Sequence, residues 1–306
     1  MMTDLMGYAH PNYALSLQEF GEPRELPRCG GWILVRPIPG TPYKDAMGCY
    51  PLFACLDWTK LHEDLEHVGN DLVSLILVTD PFSGVAPTYL EQCFDLVRPF
   101  KTHYIIDLSH PLDSFVDKKH RYYARRSLKE MEVEVSLAPV HYLDDWLKLY
   151  ENLIRRHNIS GISAFSSKSF EIQLQLPGMV MVIGKHEDQV IGANLIIIQA
   201  GVAYWHLAAF SPVGYKISAS YGIFWNALKY LGDNGVRFYD IGGVAGTDEN
   251  TEDGLSKFKL GWTNDRRMAY LCGRIFDQQK YQSICQQKQI TNVNYFPAYR
   301  TGEFNG

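Results

Sequence analysis

Several chemistries are excluded by what the sequence lacks. Its six cysteines (Cys29, Cys49, Cys55, Cys93, Cys272 and Cys285) include no C-x-x-C pair and no Cys/His grouping at zinc-finger spacing. Free thiols in a reducing compartment are therefore expected. Histidines such as His103, His141, His157 and His206 are scattered, with no H-E-x-x-H helix, so no metal is expected. A G-x-S-x-G elbow is missing, which argues against a serine hydrolase. No G-x-G-x-x-G follows a strand-like run, which argues against a nicotinamide site. The opening residues lack a basic segment followed by a long apolar run. The most apolar stretches, "LVSLILV" and "VIGANLIIIQAGVAYW", are too short or too interrupted to span a bilayer. The expectation is a soluble, cytoplasmic chain with no membrane span. Excess positive charge is also missing. The net charge is −5, so any grip on nucleic acid requires a local patch.

What is present is an ordinary globular composition, 46% hydrophobic and 21% charged, over 306 residues. That length suits one large domain or two of about 150 residues. Aromatics make up 13% and include 19 tyrosines, enough to build a core or line a cleft. In the first 110 residues strand-like and helix-like segments alternate. "GWILVRPIPG" reads as a short strand, residues 56–70 as a helix, "DLVSLILVTDPF" as a buried strand, "APTYLEQCFDLVRPF" as a helix and "KTHYIIDLS" as a strand. Residues 114–133 then form a basic helix, and "EVEVSLAPV" returns as a strand. An amphipathic helix over 142–159 follows, with Leu143, Trp146, Leu147, Tyr150, Leu153 and Ile154 on one face. Residues 178–212 read as three consecutive strands. A helix stopped by Asn234-Gly235, a strand "VRFYDIGG" and a last strand "RMAYLCGRIFD" complete the pattern.

A three-strand meander followed by a turn, helix and strand resembles the core of the GNAT acyltransferase fold. Two segments narrow the resemblance to FemABX-type transferases. In "THYIIDLSHPLDSFVDKKHRYYARRSLKEMEVEV" a strand with Asp-Leu at its end precedes a basic helix and a return strand. In "GVRFYDIGGVAGTDENTEDGLSKFKLGW" an Asp-x-Gly-Gly loop precedes Gly-Leu-x-x-Phe-Lys-x-Gly and an aromatic. The resemblance covers roughly residues 101–277 and implies an α/β (α+β) fold with two GNAT-like domains. Each would be a mixed, mostly antiparallel twisted sheet flanked by helices. The amino-terminal copy, residues 1–135, would be degenerate, and residues 136–306 would carry the transferase site. The helical-hairpin insertion that some members use near tRNA is not evident.

The resemblance also implies a site. Phe258 and Lys259 would lie against the acyl donor, with the lysine steadying charge on the reacting carbonyl, as an ammonium in a low-dielectric cleft can. Asp240, ending a strand, could accept the proton of an attacking amine. Gly242 and Gly243 let the backbone turn sharply or approach a ligand closely. Asp248, Glu249, Glu252 and Asp253 could receive an amine, or form a solvated loop. Along the third meander strand, His206, Ala208 and Phe210 mark where exposed backbone would hold a donor, unless the strand is simply buried. Lys216, Ser218 and Ser220 in "KISASYG" could cradle phosphate at a helix start, or merely cap the helix. This segment departs from the usual acetyl-CoA loop of the superfamily, Arg/Gln-x-x-Gly-x-Gly/Ala.

Lys118, Lys119, Arg121, Arg125, Arg126 and Lys129 crowd one helix with no acid among them. Arg121, Tyr122 and Arg125 share a face that reads as a phosphate grip or as a solvated surface. The expected reaction is acyl transfer from acetyl-CoA or another acyl-CoA to a small-molecule or nucleotide-linked amine by direct attack. The rivals are a FemX-like aminoacyl-tRNA-dependent transfer to a peptidoglycan precursor and a non-catalytic ligand-binding module.

Overall fold

A computed structural model describes residues 5–243, 254–291 and 293–303. The chain forms two compact units that interleave in sequence: residues 8–100, 160–165 and 269–306 in one, and residues 1–7, 101–159 and 166–268 in the other.

The first unit opens with α1 (Pro11–Ser16), β1 (Glu22–Leu26), β2 (Gly31–Pro37), β3 (Lys44–Gly48), α2 (Leu61–Val68), β4 (Leu72–Val78) and α3 (Pro87–Cys93). The chain then supplies β5 (Leu96–Asp107), whose last residues pair in the second unit. The second unit continues through α4 (Leu112–Phe115), α5 (Lys118–Ser127), β6 (Glu132–Ser136), α6 (Leu143–His157), α7 (Ser167–Gln173) and the meander β7 (Met179–His186), β8 (Gln189–Gln199) and β9 (Val202–Phe210). It ends with α8 (Pro212–Lys216), α9 (Ala219–Asp233), β10 (Phe238–Asp240) and α10 (Gly254–Leu260). After it, β11 (Asp265–Ile275) pairs antiparallel with β4, and α11 (Gln278–Gln287) follows. Each unit thus takes its last strand from the segment that follows the other unit's helices.

In each unit the strand pairing is mixed and mostly antiparallel, as the resemblance implies. In the first unit β1, β2 and β3 form an antiparallel meander, β3 and β4 run parallel, and β4 and β11 antiparallel. The second has the same plan: β6 to β9 are antiparallel neighbours, β9 and β10 run parallel, and β10 and β5 antiparallel. The near-continuous apolar runs of β7 and β8 follow from helices on both faces. Here α9 packs on β7 and β8, while α6 packs on β8 and β9.

The core of the second unit lies between the sheet, α5 and α9. Phe224, Tyr239, Ile106 and Trp262 are its fully buried centre. Phe224 stacks on Tyr239 at 5.6 Å and packs at a tilt against Trp262 at 4.8 Å. The first unit closes around a buried charge cluster. Asp45 accepts from Arg300 Nε at 2.6 Å and Nη2 at 2.8 Å, and from the Tyr299 hydroxyl at 3.1 Å. Such a cluster is affordable only because every charge in it has a partner.

The expected elements are present, with differences that have physical reasons. The helix read over "APTYLEQCFDLVRPF" ends at Cys93, and Leu96–Phe100 already belongs to β5. The basic helix divides at Val116-Asp117, because Asp117 caps α5 by accepting from the amide of Lys119. Among the described residues, no helix is long and apolar enough to cross a membrane.

Because Trp262 is fully buried among aromatic rings, Trp262→Ala should cost about 3–5 kcal/mol of stability. The check is the denaturant midpoint of the variant against that of the wild type.

Candidate active site

The site starts from a strand pair that does not stay together. β9 and β10 are in register only at Val202↔Phe238, Ala203↔Tyr239 and Tyr204↔Asp240. β9 runs on to Phe210 with no strand partner on that side among the described residues. Two features cause the parting. On β9, Trp205 pairs with Ile196 and Leu207 with Leu195, which leaves His206 as an extra, bulged residue. On β10, the chain turns off at Gly242 with φ of +72°, a conformation that favours glycine.

Lys259 fills the start of the gap. It is 6% exposed, and its Nζ donates to the carbonyl of Gly243 at 2.5 Å and lies 5.7 Å from the ring centre of Trp205. A Cβ on Gly242 would stand 3.3 Å from that nitrogen, so the glycine also makes room for the ammonium. Lys101, whose pKa burial lowers, runs beside Gly243.

Phe258 is held by a clamp. Its carbonyl accepts from His120 Nε2 at 3.0 Å, and because a carbonyl only accepts, that nitrogen carries the proton. Burial lowers the His120 pKa, so the ring stays neutral. The imidazole also packs edge-on against Trp262 at 5.0 Å and Tyr221 at 5.1 Å. Any Cβ at position 261 would come within 2.1 Å of the ring, so only glycine fits there. The amide of Asp117 donates to the Gly261 carbonyl, tying the start of α5 to the end of α10.

Asp240 sits at the end of β10 and is 2% exposed. Its carboxylate accepts from His103 Nδ1 at 2.8 and 3.0 Å and from the amide of Gly242 at 2.7 Å. His103 was not singled out from the sequence, because only the antiparallel pairing of β5 with β10 brings it to Asp240.

The structure therefore gathers Asp240, Gly242, Gly243, Phe258 and Lys259 at one end of the gap. His206, Ala208 and Phe210 follow along the part of β9 that runs past the end of its pairing with β10. His206 bonds through Nε2 to Gln173 on α7, and burial lowers its pKa to about 3. Lys216 is exposed on α8. Ser218 precedes α9 in a left-handed conformation and makes no capping bond, while Ser220 is half-buried in the first turn of α9. The serine that does cap a helix here is Ser211, which accepts from the amide of Gly214.

On α5 the inward face is His120, Ala124 and Ser127. Tyr122 and Arg125 point outward with Lys118, Lys119, Arg126 and Lys129. Arg121 is tied to Asp113 at 2.8 Å. The acidic positions Asp248, Glu249, Glu252 and Asp253 lie outside the described residues. Among the described residues, no group of three or more His, Cys, Asp or Glu could hold a metal ion.

Comparison with known proteins bears on the fold. Residues 116–260 match the sequence model of the acetyltransferase (GNAT) domain family. A UDP-N-acetylmuramoylpentapeptide-lysine N(6)-alanyltransferase from Weissella viridescens is 22% identical over 144 residues, or 46% of this chain. That match spans 42% of the relative, less than half its length. The crystal structure of FemX superposes with a TM-score of 0.64 at 14% identity, covering 89% of this chain and 93% of that one. The C-terminal domain of a putative lysylphosphatidylglycerol synthetase from Agrobacterium fabrum gives 0.62 at 12% identity, covering 92% and 93%. At these identities the likeness to solved structures establishes the fold.

The neutral His206 makes stability pH-dependent. Its folded-state pKa, about 3, lies below the ordinary 6.5, so the stabilisation is complete above about pH 6.5 and is lost as pH falls toward 3. In that window the group contributes a slope of up to about 1.4 kcal/mol per pH unit. Denaturant unfolding between pH 6.5 and 4 should therefore show a shallower slope, by about one proton, in His206→Gln.

Proposed function

We propose that this chain, a FemABX-like member of the GNAT superfamily of acyltransferases, moves an aminoacyl group from an aminoacyl-tRNA to an amine of a peptidoglycan precursor in the cytoplasm. The observation that carries the reading is the buried ammonium of Lys259 beside the parting of β9 and β10. An ester carbonyl seated there would develop negative charge next to a fixed cation in a poorly solvated place, where such a charge is most effective. Phe258 would lie against the donor, and the edge of β9 beyond its pairing with β10, at His206, Ala208 and Phe210, would bind it. The amine attacks the carbonyl carbon and gives up one proton, and the ester C–O bond breaks to leave the ribose hydroxyl. Holding the two reactants together supplies much of the acceleration.

The net charge of −5 describes the chain as a whole and says little about a local face. The outward cations of α5 suit a phosphate backbone, and Lys216, Ser218 and Ser220 depart from the superfamily's usual acetyl-CoA loop. The named activity of the Weissella viridescens relative supports as acceptor a lysine amine on a nucleotide-linked peptide. Arg121, Tyr122, Arg125, Gly242 and Gly243 are the proposed substrate contacts.

The test is transfer of labelled alanine from alanyl-tRNA to UDP-N-acetylmuramoyl-pentapeptide, run beside acetyl-CoA as donor. Label in the nucleotide product is the expected result. Transfer from acetyl-CoA alone would restore the acyl-CoA reading, and transfer from neither would favour a binding module. Lys259→Met should lower kcat/KM at least tenfold, about 1.4 kcal/mol in the barrier, with the circular dichroism spectrum unchanged. Arg125→Glu combined with Arg126→Glu should raise KM for the donor and flatten its salt dependence while leaving kcat near the wild-type value.

A further inference from the structure

We infer that His103 is the catalytic base of the transfer and that Asp240 is its positioning residue, an inference that rests on the transferase reading above. The reason is the state of the Asp240 carboxylate. It is buried to 2% exposure, and it already accepts His103 Nδ1 on both oxygens and the Gly242 amide on one. An amine proton could reach it only by displacing one of those donors. The imidazole is in a different state. A carboxylate is an acceptor, so Nδ1 carries the proton, and in the neutral ring Nε2 holds the lone pair. Nε2 has no hydrogen-bond partner among the described residues and is not among their buried unsatisfied atoms, and the His103 side chain retains 13% exposure. The dyad thus presents a base in a fixed tautomer, held in orientation by a buried anion.

The strand register places this base relative to the donor. Tyr104, Ile106 and Tyr239 belong to the core packed under α9, so by alternation His103, Ile105 and Asp240 occupy the opposite face. Lys259 lies against Trp205, whose ring packs with that same α9-side core. Charge on the carbonyl would be met from the α9 side and the amine proton taken from the other face, with Gly242 joining the two: its amide bonds Asp240, and a Cβ built on it would stand 3.3 Å from Lys259 Nζ. The balance is simple. The amine nitrogen forms its bond to the carbonyl carbon and gives one proton to His103 Nε2. The ester C–O bond then breaks with its electron pair on the leaving ribose oxygen, which takes that proton back from the imidazolium.

The test compares wild type, His103→Gln, His103→Gly and Asp240→Asn in the alanyl transfer assay, with circular dichroism on each. General-base catalysis contributes about 10²–10⁴-fold. His103→Gln should therefore lower kcat at least a hundredfold, with KM for the donor changed less than threefold, and the acid limb of the wild-type pH profile should vanish. Added imidazole should restore part of the activity to His103→Gly but none to Asp240→Asn. Nitrogen-15 NMR of the wild-type ring should show the Nδ1–H tautomer, a readout that does not depend on any variant folding. A retained acid limb, kcat within threefold of wild type in His103→Gln, or an Nε2–H ring would overturn the assignment while leaving the transferase reading intact. A wild type that transfers alanine to no amine would overturn both.

Discussion

The second unit depends on one constraint: a parallel strand pair that is bonded for three residues and then cannot remain bonded. The bulge at His206 moves β9 out of phase with a straight partner, and the positive φ of Gly242 takes β10 away from it. Backbone groups that part in a protein interior need other partners. Here the Gly243 carbonyl takes the ammonium of Lys259, and the Gly242 amide goes to the carboxylate of Asp240. The groups that resolve the backbone problem are therefore the same groups that could do chemistry.

A second link holds that arrangement in place. α10 is short, and a helix of its length has little stability of its own. It is fixed from below by the rings of Phe258 and Trp262 and from the side by His120, which reaches from α5 to the Phe258 carbonyl. α5 consequently has two jobs set by its two faces. Its inward His120, Ala124 and Ser127 position the lysine-bearing helix, and its outward face concentrates positive charge on a chain whose net charge is −5. Such a patch steers an anionic partner even when the whole molecule repels it.

Much of this was legible in the sequence. The meander, α6 and α9 carry long apolar or amphipathic patterns that fix their type, and the Asp-x-Gly-Gly and Phe-Lys segments mark the gap. What was missed has physical causes. β1 and β3 are short, with Pro23, Arg24, Lys44 and Asp45 inside them, so no alternation announces them. α7 and α11 are polar helices that owe their existence to packing rather than to pattern. The start of β5 was absorbed into a helix because Phe94 to Phe100 has no clear period of either kind. His103 was passed over for a different reason: its meaning lies in strand register, which brings residues 137 apart into contact.

The comparison of the two parallel pairs shows why topology alone assigns nothing. β3 and β4 have the same order and direction in their sheet as β9 and β10 have in theirs, yet they stay joined. They pair at Lys44↔Leu72, Ala46↔Leu75 and Met47↔Ile76, and the chain bridges again at Phe53↔Thr79. At the end of β3, Gly48 lies so close to Leu77 that a Cβ there would stand 2.8 Å from that side chain. Apolar contact continues where the other sheet opens. Phe53 and Leu77 fill that space. One plan of strands thus yields a closed core in one unit and a polar gap in the other. The difference rests on a bulge, a left-handed glycine and a lysine that follows them in the chain.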